Sequence, residues 1–392
     1  MTQGALARHP AVETFPVKEL LAWYDREKRD LPWRRTRDPY RILVSEVMLQ
    51  QTQVKTVLEY YEPFLERFPT LEALAAADQE EVLAAWKGLG YYQRARRLHA
   101  LAKAVVSEFG GALPRRFSEL RRLKGIGDYT AAAVASIAFG EAKGVVDGNV
   151  LRVMSRFLGI EEPIDDTRVK REIQAAVDRV ISPQRPGDFN QALMELGATV
   201  CTPQRPGCSA CPLREACWAH ARGHSTRLPV RKPKGKVERS RRAVGILERD
   251  GKILLLKRPS EGLLAGMWEF LNLEVDPGEA EETLLAKAQE LSGTNELTRV
   301  YAGRVVHRFS HIEWEIDAYY LSALSGGVEE SAPEQPAWEW VSREELAERP
   351  LPRVMQKVWE QVERRLQEIT LQRPSGPLDR GRALREIRSP RA

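Results

Sequence analysis

Two carboxylates, a glycine-rich turn and a run of four cysteines hold the chemistry this sequence could do. Glu46 stands within the apolar run Val44 to Leu49. Burial there raises the pKa of a carboxyl, as a general acid near neutral pH requires; the alternative is a glutamate that snorkels to the surface. Asp147 lies in Val-Val-Asp-Gly-Asn-Val, at the end of a stretch opened by Gly125-Ile126-Gly127. Paired glycines let the backbone approach a ligand, and N–H groups at a helix start favour an anion. The stretch therefore reads as a phosphate grip beside a carboxylate, or as a helical hairpin with a capping aspartate. Cys201-x6-Cys208-x2-Cys211-x5-Cys217 contains every cysteine of the chain. Four thiolates suit structural zinc or a [4Fe–4S] cluster, and one CxxC flanked by longer gaps favours the cluster.

Two aromatic turns add a nucleic-acid flavour. Trp33, beside Arg34 and Arg35 in a Pro-bearing loop, either stacks on a base or plugs a core. Gly88-Leu89-Gly90-Tyr91-Tyr92 is a flexible turn carrying two rings, suited to wedging into stacked bases, with core packing as the alternative.

Helices must position these groups. Apolar spacing predicts one helix from Phe15 to Arg29 and another, capped by Asp38-Pro39-Tyr40, running through Glu46 to Tyr61. Short helices fill 70–109, a small-residue helix follows Gly127, and three more reach Gly197, the last opened by Phe189-Asn190-Gln191. No strand-like alternation precedes residue 243, so the first half is all-α. Strands flanking Asp250-Gly251, a helix at 280–291 and further strands at 300–306, 313–321 and 338–341 make the second half α+β. The expected division is a helical domain over 12–221 and a basic linker over 222–240. An α+β domain follows over 241–366, then a disordered basic tail over 367–392.

A chain of 392 residues exceeds one usual core. No apolar run approaches the roughly 20 residues of a bilayer span, and the N-terminus lacks the hydrophobic core of a signal peptide, so a cytoplasmic monomer without a membrane partner is expected. A net charge of +5 and a pI near 9.0 suit a polyanionic partner.

The first half resembles the helix-hairpin-helix, iron–sulfur DNA glycosylases, and within them the MutY-type adenine DNA glycosylases. The resemblance rests on Leu31-Pro32-Trp33-Arg34, Glu46 to Gln53, Gly88 to Tyr92, Leu123 to Gly127, Val146 to Val150 and the four cysteines, in the family's order and spacing. It implies a two-lobed helical domain that flips a nucleotide out of double-stranded DNA carrying an adenine:8-oxoguanine or adenine:guanine mispair. Glu46 would protonate the adenine ring and Asp147, oriented by Asn149, would stabilise the charge developing on the sugar. Arg29, Arg34 and Gln191 would line the adenine pocket, and Trp33 and Leu89 would be among the residues that contact substrate or DNA. Gln51 and Tyr91 would fill the gap in the duplex, Thr52 would contact the DNA, Gly125 and Gly127 would hold a phosphate, and Cys201, Cys208, Cys211 and Cys217 would ligate a [4Fe–4S] cluster.

Where bifunctional thymine-glycol enzymes of this fold carry a Schiff-base lysine, this chain has Tyr129, which implies hydrolysis without a lyase step. The alternative, a thymine-glycol-type glycosylase/lyase, would need an amine there. The second half resembles the Nudix-like C-terminal domain of the same proteins through Gly262 to Phe270, Trp338-x-Trp340-Val341 and Phe309-Ser310-His311. With Gly293 closing the Nudix box, Ala286, Lys287 and Leu291 replace residues of the magnesium cage, so a binding role is expected. Phe309, Ser310 and His311 would read 8-oxoguanine.

Overall fold

A computed structural model describes residues 6, 9–233, 237–259, 261–309, 311–323, 338–349 and 351–371. Contacts divide the chain into two units, Met1–Lys234 and Gly235–Ala392. In the first, helices α1 (Pro10–Glu13), α2 (Val17–Glu27), α3 (Pro39–Leu49), α4 (Val54–Arg67), α5 (Leu71–Ala76), α6 (Gln79–Ala85) and α7 (Gln93–Phe109) come in order. They are followed by α8 (Phe117–Leu120), α9 (Asp128–Ile137), α10 (Gly148–Leu158), α11 (Thr167–Val180), α12 (Pro186–Thr199) and α13 (Trp218–Ala221). No strand occurs among the described residues of this unit.

Local chemistry explains the helices that matter most. Asp38 caps α3, accepting from the Arg41 amide at 2.9 Å, with Pro39 at the first position. Every residue from Ile42 to Met48 is buried, so α3 is a core helix with Glu46 inside it. Asp147 caps α10, and Gly159 at φ 70° ends it in left-handed backbone. The central packing joins α12 to α2, α9 and α10, and α9 to α3. Phe157, Ile173, Phe189 and Leu193 fill a core shared by α10, α11 and α12.

Three expectations change. The helix expected through Tyr61 is two helices: Gln51 takes φ 59° and α4 starts afresh at Val54. At the end of α3 the Val47 and Met48 carbonyls accept from the Arg94 side chain, and the Leu49 carbonyl accepts from the Thr52 amide in a tighter turn than the helix. Part of the expected linker is packed on the first unit: Leu228 is buried, and Ile164 donates to the Val230 carbonyl at 3.0 Å. The expected tail begins in ordered helix.

That helix belongs to the second unit, where strands β1 (Glu238–Arg249), β2 (Lys252–Lys257), β3 (Trp268–Glu269), β4 (Leu271–Glu274), β5 (Leu297–Arg308), β6 (Ile312–Ala323) and β7 (Trp338–Val341) form one sheet. The main path runs β3-β2-β1-β6-β5, with β1 and β6 parallel in the register Arg242↔Ile316 and the other pairs antiparallel. Asp250 and Gly251, both at positive φ, turn β1 into β2 as the sequence predicts. Helices α14 (Ala280–Ser292) and α16 (Arg353–Leu371) cover opposite faces, and α15 (Arg343–Glu348) lies between β7 and α16 in the chain. Val354, Met355, Val358 and Val362 bury one stripe of α16, and Leu366 and Ile369 continue it, which is why residues 367–371 stay helical. No helix among the described residues is long and apolar enough to cross a membrane.

Candidate active site

Packing of α9 on α3 joins Tyr129 to Glu46. The Tyr129 hydroxyl donates to Glu46 Oε2 at 2.6 Å and lies 3.5 Å from Met194 Sδ on α12. Burial pushes the Glu46 carboxyl up to about 7; the tyrosine hydrogen bond opposes the rise and the nearby Asp147 charge adds to it. The snorkelling alternative is therefore excluded, since Glu46 is only 5% exposed. A carboxyl poised near neutrality can deliver a proton and, once ionised, accept one.

Asp147 caps α10, and that fixes its carboxylate. One oxygen accepts from the Val150 amide at 2.7 Å and the other from Asn149 Nδ2 at 2.8 Å. Burial raises its pKa, against these hydrogen bonds. Arg152 donates in turn to Asn149 Oδ1 at 2.8 Å, to the Gly197 carbonyl at 2.7 Å and to the Cys201 carbonyl at 2.7 Å. The Asn149 amide is thus oriented by α10 and α12 together. Two neighbouring carboxylates, one easily protonated and one held by donors on both oxygens, can divide acid and electrostatic roles.

Arg29 and Arg34 both meet Glu195 on α12, a residue that sequence reasoning missed. Arg29 donates through Nε and Nη2 at 2.8 and 2.7 Å, and Arg34 through Nη2 at 2.7 Å. Burial works against the Glu195 anion, but the two guanidinium groups hold its pKa down at about 2. Its signal was present in Ala-Leu-Met-Glu-Leu-Gly, the same pattern of a glutamate in an apolar run that marked Glu46. Gln191, one turn earlier on α12, is 8% exposed. Trp33 is buried edge-on against Tyr61 at 5.3 Å, and Leu89 is buried, so both sit in the core of the unit and not on its surface.

Gln51 is exposed and Tyr91 is 56% exposed, while Thr52 is half-buried. Gly125, at φ 100°, makes the turn between α8 and α9 that a side chain would strain. Gly127 starts α9 with no side-chain cap, leaving first-turn amides for an anion.

The four cysteines, none in a disulfide, line one cavity beside α10 together with Arg156 and His220. Arg156 Nη1 lies 3.2 Å from Cys201 Sγ, a cation placed for a thiolate. Among the described residues no group of three His, Cys, Asp or Glu is placed to hold a metal ion.

In the second unit, residues 309–311 link β5 to β6. Phe309 is half-buried, tilted edge-on against His307 and Trp314 at 4.7 and 5.0 Å, with its amide donating to the Ile312 carbonyl at 2.8 Å. His311 is exposed, and Ser310 lies outside the described residues.

A family model described as HhH-GPD superfamily base excision DNA repair protein matches residues 44–179, and a NUDIX domain model matches 242–361. The chain is 41% identical to the adenine DNA glycosylase of Homo sapiens, covering 87% of this chain and 72% of that protein. It is 34% identical to the adenine DNA glycosylase of Schizosaccharomyces pombe, over 78% and 81% of the two chains. Among solved structures, that of a thermostable thymine-DNA glycosylase superposes with a TM-score of 0.50 at 31% identity, over 54% of this chain and 97% of that one.

Proposed function

Because the chain belongs to the adenine DNA glycosylases of the helix-hairpin-helix superfamily, we propose that it removes adenine mispaired with 8-oxoguanine or guanine by hydrolysis, without a lyase step. It is a DNA glycosylase that acts in base excision repair. The observation that carries the finer reading is the buried Tyr129–Glu46 hydrogen bond, where burial, with a smaller contribution from the Asp147 charge, raises the Glu46 pKa to about 7.

In this mechanism the target nucleotide is turned out of the duplex, and Glu46 gives its proton to a ring nitrogen of adenine. The glycosidic electron pair leaves with the base, so the base departs neutral. Asp147, held by Asn149 and the Val150 amide, stabilises the positive charge on the sugar by close electrostatics or a transient covalent bond. Glu46, now ionised, takes a proton from the incoming water, which adds to the anomeric carbon and leaves an abasic site. Tyr129 holds Glu46 in place and offers no amine for an imine. Arg29, Arg34, Glu195 and Gln191 would border the flipped base. The α9 start would hold a phosphate, Gln51 and Tyr91 would fill the gap in the duplex, and Phe309 to His311 would read the oxidised base opposite.

The donor set of the four cysteines, with Arg156 beside Cys201, fits a [4Fe–4S] cluster. Bound there, the cluster would supply a rigid tie across the loop rather than an electron, since the glycosylase step needs none.

The test is incubation of the purified chain with duplexes carrying adenine opposite 8-oxoguanine, guanine or thymine. Adenine should be released from the first two, leaving an intact strand with an abasic site. Strand cleavage with a borohydride-trapped adduct would favour the lyase alternative, and an Asp147→Asn variant that retained most of the release would sink the proposed chemistry.

A further inference from the structure

Among the described residues of the first unit, the non-glycine residues in left-handed backbone are Gln51, at φ 59°, and Tyr91, at φ 49°. A residue with a Cβ adopts this conformation only where its surroundings enforce it, and such positions gather at functional sites. Both side chains are exposed, unusually so for the aromatic Tyr91. The two lie far apart in sequence, on the α3–α4 turn and on the turn before α7.

One buried side chain joins the two turns. Arg94, near the start of α7, is 8% exposed. Its Nη1 donates to the carbonyls of Val47 at 3.0 Å, Met48 at 2.7 Å and Gln50. Its Nη2 donates to Thr52 Oγ1 at 3.0 Å and to the carbonyls of Leu89 and Gly90 at 3.1 and 3.0 Å. The guanidinium also lies 5.5 Å from the Trp86 ring and 5.6 Å from the Tyr91 ring. Every one of these partners is neutral, and they fall on both sides of the pair of turns. A planar fork reaches acceptors in both directions at once, whereas a lysine ammonium is a compact point with three donors on a flexible stem.

We propose that Arg94 is a positioning residue that fastens the Gln51 and Tyr91 turns into one rigid double wedge, so that both side chains enter the duplex together. The inference rests on reading the chain as a base-flipping glycosylase. Ordering two separately mobile turns on DNA would cost conformational entropy in the step that unstacks the target base, and holding them in advance removes that cost.

The experiment compares single-turnover adenine release by the full chain and its Arg94→Lys variant on two substrates. One is a paired adenine:8-oxoguanine duplex. The other places the target adenine opposite a baseless tetrahydrofuran site, where it is already unpaired. The variant should be slower on the paired duplex by about tenfold or more and close to wild type on the unpaired one. Backbone hydrogen exchange should rise together in residues 50–53 and 88–92, with α10 and α12 still protected. Equal slowing on both substrates, or faster exchange in one turn alone, would overturn the proposal. If Arg94→Lys does not fold, native-state hydrogen exchange of the wild-type chain along a denaturant series serves instead: residues 50–53 and 88–92 should open together as one unit, since one guanidinium holds acceptors in both turns, and separate opening of the two turns would overturn the role. A wild-type chain that released adenine from neither substrate would sink the glycosylase reading itself; an active wild type with a substrate-blind variant sinks only the role of Arg94.

Discussion

Glu46 is the residue whose surroundings set a rate most directly. As the proposed acid it must carry its proton, so adenine release should fall as pH rises through about 7. Glu46→Gln should lose at least about a hundredfold in single-turnover rate, the usual scale of a general acid's contribution. Tyr129→Phe tests the environment more finely. The tyrosine hydrogen bond favours the ionised carboxylate, so removing it should move the alkaline limb of the pH–rate profile upward; an unmoved or downward limb would refute the assignment. Stability carries the same signature. The folded pKa of Glu46 lies above its unfolded value, so its contribution is fully present below pH 4.5 and is lost as pH rises through about 7. Glu46→Gln should therefore gain stability over wild type between those limits, by at most roughly 3 kcal/mol in denaturant titrations. The charge in an apolar run made Glu46 legible in the sequence. Its value near 7 was not, because that depends on α9 closing over α3.

At the scale of elements, α10 and α12 meet where the chemistry is held. A Cβ at Gly197 would lie 2.6 Å from Asn149 Cβ and 3.1 Å from its Cα and carbonyl carbon, backbone that cannot give way. Gly197→Ala should push α12 off α10, disturb the Asn149–Asp147 pair, and lower adenine release more than DNA binding. Gel-shift affinity measured beside single-turnover rate separates the two effects, and equal losses would contradict the placement. At the hairpin, Gly125→Ala forces a side chain into φ 100°. It should weaken binding to all duplexes alike, since a phosphate contact carries no sequence information. The hairpin and the capping Asp147 were readable as spacing. The break between α3 and α4 was not, because two carbonyls at the end of α3 accept from a guanidinium of α7, beyond any local signal.

At the scale of the molecule, the two contact units predict that function is separable. A chain ending at Lys234 should keep adenine release and lose its preference for 8-oxoguanine over guanine opposite the target. Equal discrimination by the shortened and full chains would remove the recognition role from the second unit. Iron and sulfide analysis, with an absorbance band toward the blue edge of the visible range, should identify the group held by the four cysteines. Cys217→Ser should lower the melting temperature and loosen residues 201–217 in hydrogen exchange, and bound zinc in place of iron would overturn the cluster.

Sequence alone determined what depends on neighbours along the chain: the capped helices, the hairpin at Asp250-Gly251, the glycine turn, the cysteine spacing and the glutamate misplaced among apolar residues. These follow from local propensity and periodicity. Only tertiary structure decided which groups meet. It brought Tyr129 to Glu46, bound Glu195 to two arginines from another segment, sent Trp33 and Leu89 into the core, and tied two distant turns to Arg94. The physical reason is that proton affinity, buried-charge pairing and the closure of turns are set by burial and by partners many residues away, which no local pattern encodes.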